Sequence, residues 1–240
     1  MDMDIRQQGR VISRAVDRAE IDEGLRSYML RVYNYMASGL ALTGIVAYLV
    51  SQSPAAMHAV FGTPLFWLVV LAPLGLVFFL SARINRMQAS TAQALFWVYA
   101  ALMGVSLASI FVVYTGTNIA RVFFISAGAF AGLSLYGYTT RRDLSGMASF
   151  LMVGLIGVII ASLVNMFLHS TGLQFALSVI GVLVFAGLTA YDTQSIKEMY
   201  FANDMGEVAT KKSVLGALRL YLDFLNLFLL LLQLFGNQRN

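Results

Sequence analysis

Seven apolar stretches, at about residues 32–52, 64–82, 92–114, 117–139, 147–168, 173–194 and 213–235, leave little room for any other architecture in this chain of 240 residues. Each is near the roughly 20 residues a helix needs to cross a bilayer core. A transmembrane barrel fails on pattern, because its strands alternate apolar and polar residues over about ten positions. Runs such as FLMVGLIGVIIASLV do not alternate, and a helix in lipid satisfies its own backbone hydrogen bonds where an open sheet cannot. Charged residues make up 12% of the chain, half the roughly 25% of a soluble domain. The expected fold is an all-α membrane protein with seven transmembrane helices. Adjacent spans nearly touch, so one bundle over residues 29–236 is expected, between a polar segment 1–28 and a short tail 237–240.

Orientation follows from the basic residues, which gather in cytoplasmic loops. With the amino terminus inside, the inner segments hold Arg6, Arg10, Arg14, Arg18, Arg26, Arg31, Arg83, Arg86, Arg141, Arg142, Lys197, Lys211 and Lys212, thirteen of the sixteen Lys and Arg residues. Arg121 and Arg239 fall outside, and Arg219 lies within the seventh span. An odd number of spans then leaves the carboxyl terminus outside. The net charge of +4 needs no nucleic acid to explain it, because the basic residues sit where anionic head groups would be. The absence of cysteine excludes disulfides and thiolate chemistry. No cleavable signal is expected, since about 28 mostly polar residues precede the first apolar run. In that leader, arginines recur every fourth residue from Arg6 to Arg18, as in an interfacial helix or a solvated basic leader. Small residues at Gly128 and Gly132, Gly154 and Gly157, and Gly181 and Gly187 suit close helix packing. His58 and His169 both fall in short outer loops, far apart in sequence, and read as surface residues.

Ionisable residues at membrane depth carry the functional signal, since such groups persist where they have a partner or a task. They are Arg83 closing the second span, Asp192 closing the sixth, and Arg219 with Asp223 in the seventh. Structural readings exist for each carboxylate. Arg219 and Asp223 are four apart and stack on one helix face, and Asp192, at a helix end, reaches water or pairs with Lys197 nearby. The functional reading instead brings Asp192 and Asp223 together. Two carboxylates in one site do not both ionise easily, so the pair holds a proton near neutral pH. Ionised, it offers hard oxygen ligands suited to Ca²⁺ or a partner for a cation such as Arg83. Depth opposes this pairing: Asp223 lies about 15 Å inside the start of its span at 1.5 Å per residue, whereas Asp192 is near the end of its own. The carboxylates meet only if helix seven begins later, helix six continues past Thr193, or one of them tilts.

At these residues the chain resembles the Bax inhibitor-1 family, the transmembrane Bax inhibitor motif-containing proteins, in its bacterial branch. The resemblance is carried by GLTAYDTQSIK in the sixth span and LYLDFLNLF in the seventh, with SARINRM after the second and TTRRDLSGM between the fourth and fifth. It extends over about residues 28–236. It implies six helices surrounding a central seventh, and a diaspartyl proton sensor that matches Asp192 and Asp223. An arginine matching Arg83 would latch onto the pair and close a Ca²⁺ leak path. On this reading the protein is a pH-sensitive calcium leak channel of a bacterial inner membrane, with Ca²⁺ and protons as its ions and no enzymatic activity.

The chain also departs from calcium-leaking relatives. Ala72 stands where some carry a glutamate in helix two, Gln233 where some carry an arginine late in helix seven, and Arg219 is an extra cation beside the sensor. Another bacterial branch is similar to a modulator of a membrane-bound ATP-dependent protease, and the 28-residue leader suits that non-conducting role. Intramembrane aspartyl proteolysis fits least. Such proteases carry GxGD at the second aspartate and a Pro-Ala-Leu motif later, whereas Asp223 follows Leu-Tyr-Leu and the three prolines, Pro54, Pro64 and Pro73, are far upstream.

Overall fold

The computed structural model describes residues 2–204 and 206–236, with side chains from Glu23 onward. The tail 237–240 and the side chains of the leader's arginine stripe lie outside the described residues. The helices are α1 (Asp2–Ser51), α2 (Pro54–Phe61), α3 (Leu65–Arg83), α4 (Ala89–Leu107), α5 (Ile110–Val113), α6 (Gly116–Thr139), α7 (Ser145–Leu168), α8 (Thr171–Glu198) and α9 (Glu207–Phe235), with a 3₁₀ turn at Ile84–Arg86. Seven helical stretches are long and apolar enough to cross a membrane: Glu23–Ser51, Leu65–Arg86, Ala89–Val113, Gly116–Thr139, Ser145–Leu168, Thr171–Glu198 and Glu207–Phe235. They match the seven apolar runs, so the sixth and seventh spans are α8 and α9.

The ends differ from expectation in an informative way. The first helix starts well before residue 32, α8 runs to Glu198 and α9 begins at Glu207. Each added piece carries charged or polar residues, which a hydropathy boundary cuts off although a helix emerging into water keeps its own hydrogen bonds. Two turns at the end of the bundle away from the α8–α9 loop are set by short polar caps. The Thr115 hydroxyl accepts the Asn118 amide to start α6, and the Ser170 hydroxyl accepts the Leu173 amide to start α8, as N-cap residues do.

α9 is the most buried of the spans, with two thirds of its apolar window enclosed, and it packs on α1, α4, α6 and α8. α3 rests on α4, and α7 on α8. One side of α9 is aromatic and hydrogen-bonded. The fully buried Tyr221 hydroxyl meets Thr43 Oγ1 at 2.6 Å, and Thr43 donates to the Ala100 carbonyl at 2.8 Å. This chain ties α9 to α1 and α4, with the rings of Phe96 and Tyr99 edge-on to Tyr221. On another side, Phe224 meets Phe123 and Phe130 of α6.

Close helix approaches occur at only some of the small residues. A Cβ at Gly137 would collide with the backbone carbonyl of Ala190, which locks α6 against α8. Gly154, Gly181 and Gly187 likewise abut Val184, Leu230 and Leu151. Gly128, Gly132 and Gly157 face open space, so spacing alone overstated their packing role. Most of the large exposed side chains, such as Phe124, Phe150 and Phe167, are on faces that lipid would cover.

Pro73 sits inside α3 and is buried. Having no N–H, it leaves the carbonyl four residues earlier, that of Val69, without its helical donor. The Ser106 hydroxyl of α4 donates to that carbonyl at 2.7 Å, the kind of repair by which membrane helices tolerate proline. Ser106→Ala should therefore lower stability by about 1 kcal/mol. In a Pro73→Ala background the same change should cost clearly less, because Val69 regains a helical donor. Thermal unfolding of the four purified proteins in detergent checks this, and equal costs in both backgrounds would contradict it.

Candidate functional site: an acidic pair at the basic end of the bundle

Four connections meet at one end of the bundle: the approach to α1, the α3–α4 turn, the α6–α7 loop and the α8–α9 loop. This end carries most of the basic residues, and several of them brace the chain. Lys197 donates to the Tyr138 carbonyl at 2.8 Å and lies 5.1 Å from the centre of that ring. Lys212 donates to the Met199 carbonyl at 2.9 Å and pairs with Asp204, while Lys211 reaches the Met87 carbonyl at 3.4 Å. Gln194 holds the α6–α7 loop from both sides: its Oε1 accepts the Leu144 amide at 2.8 Å and its Nε2 donates to the Arg142 carbonyl at 2.9 Å. In that loop the exposed Asp143 carboxyl is held below the usual carboxylate range by the Ser145 amide.

Beneath this layer Asp192 of α8 and Asp223 of α9 come together, their carboxyl groups within reach of a side-chain hydrogen bond. Asp223 is only 4% exposed, and its Oδ2 has no hydrogen-bond partner among the described residues. Asp192 is half-buried. α8 continues six residues past Asp192, to Glu198, as the second of the three routes requires, while α9 begins earlier, not later, than its apolar run. The offset narrows because the first turns of α9 project beyond the end of α8, where Lys212 donates to the Met199 carbonyl.

Arg219, one turn before Asp223 on α9, is the cation whose field reaches both carboxylates. No ion pair closes between Arg219 and either of them. Among the described residues the ion pair is Lys212–Asp204, so neither aspartate is held by a direct ion pair. Lys197 is engaged with Tyr138 rather than Asp192. Arg83 ends α3 exposed and is not among the charges acting on the pair. The structure thus brings together Asp192, Asp223 and Arg219, and leaves Arg83 apart.

Two features of the surroundings were not foreseen from sequence. Tyr28 of α1 is 5% exposed, its hydroxyl has no partner among the described residues, and it lies within the field of Arg219. Its ring stacks at a tilt on Tyr200, 5.7 Å between centres. Beside Asp192, Thr193 Oγ1 lies 3.0 Å from Ser134 Oγ, which is 2.6 Å from the Tyr33 hydroxyl. This hydroxyl chain links α8, α6 and α1. A tyrosine in an apolar helix reads as core from sequence, so nothing in the pattern marks either role. At the far end of α9, Gln233 Oε1 accepts the Ser178 hydroxyl at 2.9 Å, so this departure from the leaking relatives is a bond between α9 and α8. Ala72 is half-buried in α3. Among the described residues no three His, Cys, Asp or Glu side chains gather into a metal cluster.

These features define a multi-pass helical membrane protein with an acidic pair held inside its basic end. The family model described as "Inhibitor of apoptosis-promoting Bax1" matches residues 25–240. An uncharacterized protein of Rickettsia prowazekii, RP147, is 52% identical over 91% of this chain and 93% of its own length. "Inner membrane protein YbhL" of Escherichia coli K12 is 49% identical over 90% of this chain and 94% of its own. A protein of Caulobacter vibrioides is 44% identical over 97% and 98%. The chain belongs to the Bax inhibitor-1 family.

With Arg219 the one cation among the described residues that acts on both carboxylates, removing it and removing a carboxylate should not have additive effects. Arg219→Gln should destabilise the protein, and adding Asp223→Asn should recover at least about 1 kcal/mol of the loss, as expected for residues in one network. A double-mutant cycle by thermal unfolding measures this, and strictly additive changes would show that Arg219 does not act on the pair.

Proposed function

We propose that this protein is a pH-sensitive calcium leak channel of the Bax inhibitor-1 type, with Asp192 and Asp223 as its proton sensor. The observation that carries the reading is the meeting of two carboxyl groups from different helices inside an apolar bundle, one with an unsatisfied oxygen. Such an arrangement costs stability unless it is used. Two carboxylates in one site do not both ionise easily, and their charge decides how firmly a neighbouring guanidinium is held. In the arrangement described above that cation is Arg219. Arg83, exposed at the end of α3, takes the latch position in a second arrangement.

The sign follows from the charge. As pH falls the pair is neutralised, its hold on the guanidinium weakens, and the helices around α9 are freed to part, so the leak rises. In the six-around-one arrangement that this reading adopts, α9 is the central helix. Ca²⁺ takes six to eight oxygen ligands, which suits two carboxylates to a passing ion rather than one firmly held. By analogy with YbhL, named as an inner membrane protein, we place the chain in a bacterial inner membrane, amino terminus in the cytoplasm.

A second reading is favoured by α1, which begins at Asp2, about thirty residues ahead of the apolar run that starts near residue 32. A helical arm of that length suits a regulator that docks on a membrane partner such as an ATP-dependent protease. The two readings separate experimentally. Protein reconstituted in Ca²⁺-indicator liposomes should leak several-fold faster at about pH 6 than at about pH 8, and Asp192→Asn should abolish that difference. No leak at either pH, or an unchanged difference in Asp192→Asn, contradicts the channel. Deleting residues 1–27 should abolish partner capture and leave any leak intact if the arm is a docking element.

A further inference from the structure

A cavity of about 710 Å³ lies not at the acidic pair but between α1 and α6. α1 leans on α4 and α9, and α6 on α8 and α9, which leaves a groove whose floor is Phe224 of α9. One continuous stripe of α1 lines it from Arg26 through Tyr33 to Ala41. An antiparallel stripe of α6 runs from Tyr138 through Ser134 and Ala131 to Phe123. The Tyr33–Ser134 hydrogen bond crosses between the two walls. From residue 26 to residue 41 a helix rises about 22 Å. Half of a roughly 30 Å hydrocarbon core is about 15 Å, so the groove spans one leaflet from the head-group level to near the midplane.

Its two ends differ in chemistry. The deep end is apolar and lined with alanines and phenylalanine. At the basic end a second hollow, of about 470 Å³, shares Arg26 and Leu30 with the groove and adds Ser27, Arg31 and Asn34, with Glu23 at its rim. Arg26 and Arg31 are both exposed there. An apolar channel one leaflet long, opening at paired guanidinium groups with hydroxyl and amide neighbours, matches an acyl chain joined to a phosphate. Basic pockets between membrane helices hold anionic head groups in this way, and arginine suits phosphate through its planar fork of donors.

We propose that the α1–α6 groove binds one anionic phospholipid, an acyl chain along the stripe from Ala41 to Tyr33 and the phosphate on Arg26 and Arg31. Annular lipid covers the whole apolar belt, but this site retains a single molecule and selects its charge. The test is native mass spectrometry of the purified full chain titrated with phosphatidylglycerol or with phosphatidylcholine of identical chains. The expected result is one preferred phosphatidylglycerol adduct, bound about tenfold or more tightly than phosphatidylcholine, as two surface arginines provide. Arg26→Gln with Arg31→Gln should erase the preference between the head groups. Ala131→Trp, which fills the groove, should lose the adduct, and Ala37→Trp fills it from the other wall should the first variant fold poorly. Val164→Trp on the exposed face of α7 should keep it. Equal binding of the two lipids to the native chain, retention of the preference without the arginines, or an adduct that survives both groove-filling variants would overturn the proposal.

Discussion

A carboxyl group with 4% of its surface exposed, on the most enclosed helix of a membrane bundle, is the constraint around which the basic end of this molecule is arranged. A carboxyl group at such a position is tolerated when it is protonated or when a hydrogen-bond partner or a cation attends it. Asp223 has all three within reach: the carboxyl of Asp192, the proton two adjacent carboxylates tend to share, and the guanidinium of Arg219 one turn away. Because Asp192 comes from α8, the acidic pair makes the α8–α9 contact dependent on charge. Apolar packing along the rest of α9, by contrast, is indifferent to pH.

The same end also uses its cations as struts. Lys197, Lys211 and Lys212 donate to backbone carbonyls at loops and helix ends. They hold in place the connections that flank the pair, while Gln194 pins the α6–α7 loop to the helix that carries Asp192. Lipid attraction alone, the simplest account of clustered basic residues, misses this role. Arg26 and Arg31, exposed on α1, are placed differently: Arg26 lines the groove beside α6 and shares with Arg31 the hollow at its mouth.

Apolar runs near twenty residues make the seven spans legible in the sequence, because burying a backbone in lipid demands little else. Helix ends were not legible, since Glu198, Glu207 and the residues near them are polar yet helical. The extension of α8 beyond Asp192, together with first turns of α9 that project past the end of α8, is what lets the aspartates meet. That the carboxylates would pair could be read from their shared rarity and from the family resemblance. Which cation would attend them could not: the i,i+4 spacing pointed to Arg219 and the family pattern to Arg83, and only the packing of α3 leaves Arg83 at the surface. Glycine spacing was a weak guide for the same reason, because Gly128 and Gly132, four apart as close helix packing favours, face open space, while Gly181 and Gly187 meet neighbouring side chains without that spacing. Serine 106 repairs a carbonyl opened by proline in another helix, a relation that no local pattern encodes.

The claim at the centre of this account is that Asp192 and Asp223 titrate as one coupled unit. Side-chain carboxyl NMR of ¹³C-labelled aspartate, followed through pH in the native chain and in Asp192→Asn, measures it directly. Coupling predicts that both resonances respond to the same titration steps, and that the Asp223 midpoint moves by more than about one pH unit when Asp192 loses its charge. An Asp223 midpoint that stays where it was in the variant would contradict the claim.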